Sequence, residues 1–193
     1  MSRTPITRSA AALGSAAALL VLGVACASDG GETVGAAVDS AVPRGDGTAP
    51  AVTLTCGDRT HGLLARTSGL AVTGDFPPRV DRGGDGTFVG TVTVTGTGSR
   101  VSGVTSPEAD VFVARAGEVV STPVAKDLIG QPFDLGSDAS KAFTARGSIR
   151  PCAAGAGELL PAGHYDVFAV VVVNRDDGPA VVAAGGPWPI EVT

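Results

Sequence analysis

Three cysteines and two histidines are the residues of this 193-residue chain that could form disulfides, carry out redox chemistry or bind a metal. Cys56 and Cys152 have no CxxC spacing and no set of ligands around them. A single disulfide is therefore the simplest interpretation, and a metal-binding or redox thiol pair is the alternative. The bond would close a long loop and restrain the unfolded chain. His61 and His164 are far apart in sequence and match neither HExxH nor a paired-histidine zinc motif.

Motifs for hydrolysis and phosphate binding are also missing from the sequence. It has no GxSxG nucleophile elbow. Gly96-Thr97-Gly98 precedes a strand-like stretch, whereas a phosphate cradle needs a helix N-terminus. Two acidic turns could supply some oxygen ligands for calcium, but turn formation explains them more simply because neither has EF-hand spacing. The first contains Asp75, Asp81 and Asp85, and the second contains Asn174, Asp176 and Asp177. We therefore expect no catalytic residues, no metal and no cofactor.

The third cysteine, Cys26, ends a small and apolar segment that follows two arginines. This pattern is typical of a secretory signal peptide. Leu22-Gly23-Val24-Ala25-Cys26 resembles the lipobox of bacterial lipoprotein precursors, although Gly23 stands where that family usually has leucine. The resemblance implies removal of residues 1–25 and lipidation of Cys26, which would anchor the protein to the extracytoplasmic face of the cell membrane. An ordinary signal peptide cut nearby is the alternative.

Charge and composition narrow the possible partners. The formal net charge is −5, and removal of residues 1–25, with their two arginines, leaves 12 basic against 19 acidic residues, or −7. A negative chain without a basic cluster is not expected to bind nucleic acid. The abundance of Ala, Gly and Val, with only two lysines, is typical of high-GC bacterial genomes such as those of actinobacteria.

The chain divides into three parts: a signal peptide at 1–25, a tether at 26–51 and a folded domain at 52–193. The tether is composed of small and polar residues without hydrophobic periodicity, and it has too little apolar bulk to offset the entropy of ordering. The domain is long enough for one ordinary core.

The most strand-like stretch is His164–Val173, which is β-branched and aromatic and is bounded by turn residues. Thr87–Thr95 alternates strictly at its C-terminal end, which predicts a half-buried strand with Val92 and Val94 inward. Further strands are expected at Val52–Cys56, Leu70–Phe76, Ala109–Ala114, Glu118–Val120, Lys141–Ile149, Val181–Ala184 and Trp188–Val192. Because no segment of the domain shows a sustained helical period, we expect an all-β antiparallel sandwich of about seven to nine strands.

At the start of the central strand, Gly163-x-Tyr165-x-Val167 resembles the tyrosine corner of immunoglobulin-like sandwiches. Val167 takes the place of that family's second core cysteine, and no strand-C tryptophan is apparent. The resemblance implies a bacterial immunoglobulin-like module, with the Tyr165 hydroxyl bonded to nearby backbone.

Both faces of the central strand are apolar. Tyr165, Val167, Ala169, Val171 and Val173 share one face, and Phe168, Val170 and Val172 share the other. The second face is either covered by the domain itself, through a loop, the Cys56 segment or a neighbouring side chain, or it is a patch that binds a partner.

These observations predict a membrane-anchored surface lipoprotein that acts as a non-catalytic binding or structural module for an unknown partner. Two alternatives stay open. One is a cell-envelope hydrolase with an unrecognised site, and the other is a protease-inhibitor-like module that presents one loop.

Overall fold

The computed structural model describes residue 52 and residues 54–64, 69–126 and 129–193. The predicted signal peptide at 1–25, the predicted tether at 26–51 and Cys26 lie outside the described residues. Their assignment stays a prediction.

Ten strands and one short helix make up the described part of the chain. No helix in this part has the length and apolarity needed to cross a bilayer. The elements, in chain order, are α1 His61–Leu64, β1 Leu70–Asp75, β2 Arg79–Val80, β3 Thr87–Gly96, β4 Val101–Thr105, β5 Glu108–Arg115, β6 Glu118–Ser121, β7 Gln131–Leu135, β8 Ser140–Ser148, β9 Gly163–Asn174 and β10 Val181–Val192. The all-β, immunoglobulin-like class is confirmed, but ten strands exceed the expected seven to nine.

The strands form one curled network that folds into two layers. β1, β3 and β8 are neighbours in one layer. β5 connects this layer to the other, because Glu108–Asp110 pairs in parallel with β8 while Asp110–Ala114 pairs antiparallel with β9. β10 lies on the other side of β9. β9 is therefore the centre of the second layer, as its composition predicts.

The main core lies between the two layers. Val92 and Val94 are fully buried, which confirms the inward face predicted for β3, and Phe143 of β8 is 2 % exposed in the same core. β9 contributes to this core the five residues of its predicted first face, Tyr165, Val167, Ala169, Val171 and Val173. The opposite face of β9 packs into a separate apolar cluster.

β5 and β6, which include the two strands expected at Ala109–Ala114 and Glu118–Val120, form a hairpin. Ala116 and Gly117 have φ angles of 52° and 78°. Two consecutive residues with positive φ make a turn whose twist matches that of the flanking strands. Gly117 is suited to this conformation because it has no Cβ.

Three segments differ from the expectations drawn from the sequence. In the segment predicted as a strand at Val52–Cys56, the described residues Val52 and Leu54–Cys56 are not in a strand, and Asp58 closes a turn there by accepting hydrogen bonds from the Thr55 amide and hydroxyl at 2.7 and 3.0 Å. Arg79–Val80, where no strand was expected, is β2 and pairs in parallel with β10. Gln131–Leu135, where no strand was predicted, is β7 and pairs with β4.

The two strands predicted at the C-terminal end are one strand, β10. Its register with β9 shifts between Gly185 and Trp188, and the peptide bond between Gly186 and Pro187 is cis. The bulge accommodates Pro187 without ending the strand, in keeping with the confinement of proline to edges and bulges.

Candidate functional site

The face predicted as a possible interaction patch is covered by the domain itself. Phe168 is 4 % exposed and Val170 is 1 % exposed, while Val172 is half-buried. The cluster on this face also contains Leu63, Phe112, Ala114, Val119, Val182 and Ala184. The partner-patch hypothesis is therefore wrong for Phe168 and Val170, because burial leaves them no surface for another molecule. The alternative, cover by the segment around Cys56, is what the structure shows.

The cover is made by Leu54–Leu64, which we call the cover segment. Leu63 of helix α1 is 2 % exposed and belongs to the cluster, and Leu54 packs against it. The backbone of the segment follows the edge of the β5–β6 hairpin. Gly57 N donates to Val119 O at 2.8 Å, and Val119 N donates to Asp58 O at 2.9 Å. The segment thus adds both apolar contacts and hydrogen bonds to the outer face.

A disulfide fixes the cover segment to the domain. Cys56 and Cys152 are bonded, as predicted, with 5.7 Å between their Cα atoms. Cys152 N donates to Val120 O at 2.9 Å, next to the hydrogen bond from Gly57 to Val119. The bond joins residues 96 positions apart, and the chain-entropy model assigns such a loop about 4–5 kcal/mol of stabilisation as an upper figure.

A groove that no sequence pattern indicated lies where β4 and β5 diverge along β9. β5 pairs with β9 as far as Val170, and β4 pairs from Val173 onward. Between them lies a groove of about 400 Å³. Thr105 Oγ1 donates to Val172 O at 2.8 Å and so satisfies a carbonyl group in the gap. We call this feature the fork groove; it is lined by Val104, Thr105, Ser106, Glu108, Asp110, Lys126, Ile129, Gly130, Val170, Val171, Val172 and Asn174.

One wall of the fork groove is apolar and exposed. Val104 is 42 % exposed and Ile129 is 71 % exposed. Half-buried Val172 also lines the groove. Most pockets that bind small molecules combine apolar walls with a few placed polar groups. This wall is suited to an apolar part of a bound molecule.

Another wall of the fork groove carries paired charges. Lys126 Nζ lies 2.8 Å from Asp110 Oδ1 and donates to the Glu108 carbonyl oxygen at 2.8 Å. The Arg146 guanidinium lies 3.4 Å from Glu108 Oε1. The Ser106 hydroxyl is buried and has no hydrogen-bond partner among the described residues.

The remaining residues that the sequence singled out do not come together. His61 and His164 are both exposed, on α1 and at the start of β9. Asp85 accepts from the Thr87 hydroxyl and amide at 2.7 and 2.9 Å, and these hydrogen bonds hold the pKa of Asp85 below its usual value. Asp81 closes a turn with Gly83 N at 2.7 Å. Across the described ranges, no three His, Cys, Asp or Glu side chains are grouped as metal ligands would be.

The architecture is that of an all-β, immunoglobulin-like sandwich domain. No protein-family profile matches the chain. No curated protein matches it either.

Several solved structures have a distantly similar arrangement. A β-glucosidase from Listeria innocua in complex with isofagomine is 13 % identical with a TM-score of 0.36, over 64 % of this chain and 16 % of that one. The CARDB domain of PF1109 from Pyrococcus furiosus, in complex with di-metal ions, is 17 % identical with a TM-score of 0.34. The match covers 73 % of this chain and 94 % of that one. The C-terminal domain of wzt is 11 % identical with a TM-score of 0.37. The match covers 64 % of this chain and 70 % of that one. The chain thus spans 16 % of the length of the β-glucosidase, and none of these likenesses assigns an activity or ligand.

Proposed function

We propose that the chain is an exported, lipid-anchored binding module at the extracytoplasmic face of the cell membrane. The observation that carries this proposal is the use of its cysteines. Cys56 and Cys152 form a disulfide, which is the usual state of cysteine pairs in oxidising compartments. Cys26 ends the apolar leader, at the place where the lipobox resemblance puts the acylated residue. Lipidation would consume a thiol that is otherwise a liability outside the cytoplasm.

On this proposal, the predicted tether sets how far the domain can stand from the membrane. With Cys26 acylated, residues 27–51 connect the lipid to the sandwich. A small-residue coil of this length has a root-mean-square reach of roughly 25–30 Å. The domain would therefore clear the lipid headgroups and rotate freely above them.

The anchor is tested by Cys26→Ser in a bacterium that processes lipoproteins. Cells are labelled with an alkyne-bearing fatty acid, and the protein is partitioned between detergent and aqueous phases. The wild-type chain is expected to carry the label and enter the detergent phase. Cys26→Ser should lose the label and either appear in the medium or stay as the precursor.

A matched control separates acylation from loss of any cysteine. The Cys56→Ser, Cys152→Ser double variant keeps Cys26 and should retain the label. A processed Cys26→Ser protein that still enters the detergent phase would refute the lipid anchor.

We assign the binding role to the fork groove, because exposed apolar side chains and placed polar groups meet there in a concave surface. Val104→Asp and Ile129→Asp introduce charge at positions that are 42 % and 71 % exposed. Val89→Asp is the control, since Val89 is 60 % exposed on β3 and does not line the groove.

All three variants should unfold at nearly the wild-type denaturant concentration, because substitutions at exposed positions change stability little. Membrane extracts passed over each immobilised protein are compared by quantitative mass spectrometry. The two groove variants should lose the proteins or small molecules that the wild type retains, and Val89→Asp should keep them. Equal loss in Val89→Asp, or full retention in both groove variants, would rule out the fork groove as the binding surface.

A further inference from the structure

We infer that the cover segment is a redox-controlled strap. Reduction of the Cys56–Cys152 disulfide releases Leu54–Leu64 from the outer face of the second layer and exposes the apolar residues beneath it. The inference goes beyond the proposed function, and its test does not depend on the lipid anchor or on the fork groove.

The first support is that the strap packs outside the main core. The main core cluster contains no described residue before Leu70. Leu63 is the one residue of the cover segment among the buried members of the outer cluster, and Leu54 packs against that cluster while partly exposed. The two clusters lie on opposite faces of β9. Removing the strap therefore leaves the contacts between the two layers intact.

The second support is the way the strap is attached. Three backbone hydrogen bonds join it to one short stretch, the end of the β5–β6 hairpin. Thr60 N donates to Gly117 O at 3.0 Å, and two further bonds join Gly57 and Asp58 to Val119. The Arg59–Glu118 ion pair at 2.8 Å involves side chains that are 61 % and 49 % exposed, and exposed pairs contribute little. The disulfide adds a covalent attachment, which keeps these non-covalent contacts at a high effective concentration.

The third support is access to the bond. Cys56 and Cys152 are both half-buried, so neither sulfur is enclosed in the core. A small dithiol can reduce them by exchange. Its thiolate attacks one sulfur and releases the other as a cysteine thiolate, which takes up a proton. The second thiol of the reagent then attacks the mixed disulfide, so that two protein thiols form and the reagent leaves as a cyclic disulfide.

Release of the strap would uncover a continuous apolar stripe. Phe112 on β5 pairs directly with Phe168 on β9, and each is at most 4 % exposed in the oxidised protein. Val170 lies two residues further along the same face of β9 and is 1 % exposed. The redox state of one bond thus determines whether this apolar stripe is exposed.

The test compares the full chain carrying Cys26→Ser, so that one cysteine pair remains, before and after treatment with dithiothreitol. Hydrogen–deuterium exchange is followed by mass spectrometry, and binding of an apolar fluorescent dye is measured in parallel. Reduction should accelerate exchange at the Gly57, Thr60 and Val119 amides by about tenfold or more, since these amides depend on the strap contact. Exchange in β3 and β8 should stay unchanged, and dye fluorescence should rise.

A pair of variants tests the strap with the disulfide intact. Leu63→Asp places a carboxylate at a position that is 2 % exposed and should raise dye binding in the oxidised protein. Leu64→Asp, at a neighbouring position that is 40 % exposed, should not. Unchanged exchange at Gly57, Thr60 and Val119 after complete reduction would overturn the inference, because the disulfide would then not control the position of the strap. Simultaneous loss of protection in β3 and β8 would also overturn it, since unfolding would then be global.

Discussion

The hydroxyl of Tyr165 donates a hydrogen bond of 2.8 Å to the carbonyl oxygen of Pro161. Tyr165 is 3 % exposed and belongs to the main core, while the Arg115 guanidinium lies 5.5 Å from the centre of its ring. This is the tyrosine corner that the Gly163-x-Tyr165 pattern predicted. It ties the loop before β9 to the first inward residue of that strand.

Tyr165→Phe removes this hydrogen bond and keeps the ring in the core. We expect the free energy of unfolding to fall by about 0.5–1.5 kcal/mol, the usual net contribution of one such bond. Urea unfolding of the purified domain measures the change. Tyr165→Ala, which also creates a cavity, should cost about 3 kcal/mol or more. An unchanged midpoint for Tyr165→Phe would show that the bond contributes nothing.

Phe168→Asp should destabilise the domain by several kcal/mol, because the carboxylate would be buried without a partner beneath the cover segment. Val89→Asp makes a comparable change at a strand position that is 60 % exposed and should cost less than about 0.5 kcal/mol. Guanidinium unfolding of both variants makes the comparison. Equal midpoints for the two variants would contradict the burial of Phe168.

Gly96→Ala should destabilise the domain by about 1–3 kcal/mol, because a Cβ at this position would collide with the backbone carbonyl of Gly136. Backbone atoms cannot move aside as the end of a flexible side chain can. Gly98→Ala is the matched control, since a Cβ there meets its nearest atom, the Gly69 Cα, at 3.8 Å, which is an ordinary contact. Thermal unfolding should separate the two variants, and similar melting temperatures would argue against the close approach of β3 to the Gly136 turn.

Asp58 should titrate below the usual range of an aspartate. The backbone amide of Thr55, and then its hydroxyl, donate to the carboxylate and hold the pKa of Asp58 below its ordinary value. The pKa of Asp58 is lower in the folded state than in the unfolded state. The stability that the ionised carboxylate adds is therefore fully present above the unfolded-state pKa. It is lost as the pH falls through the folded-state pKa.

A carbon-detected NMR titration of the Asp58 carboxyl group measures this pKa directly. Thr55→Val removes the hydroxyl donor and leaves the backbone donor, so the pKa should rise part of the way toward the ordinary value. A wild-type Asp58 that titrates at or above the ordinary value would contradict the turn geometry.

The sequence was sufficient to locate the central strand and both of its faces. His164–Val173 is an uninterrupted β-branched run, and strand periodicity alone assigns alternate residues to opposite faces. β7 was missed because Pro132 interrupts a stretch whose inward residues, Phe133 and Leu135, are too few to form a pattern. Local alternation is informative only where the strand is long enough to repeat it.

The cover on Phe168 could not be predicted because it is a contact between distant parts of the chain. Leu63 belongs to a helix of four residues, which is too short for a hydrophobic period. The fork groove was missed for a related reason. It exists because β4 and β5 leave β9 at different points, and no single segment encodes that divergence.

The disulfide also determines how the domain bears mechanical load. Tension applied between the chain before Val52 and the end of β10 passes directly from Cys56 to Cys152 through the sulfur–sulfur bond. Strands β1 to β8 lie inside the closed loop and are not stretched along their length. The 96-residue separation of the two cysteines keeps roughly 300 Å of contour length out of the load path. With the bond intact, only the chain outside the closed loop can extend under this load, whereas reduction of the bond adds the loop to the load path.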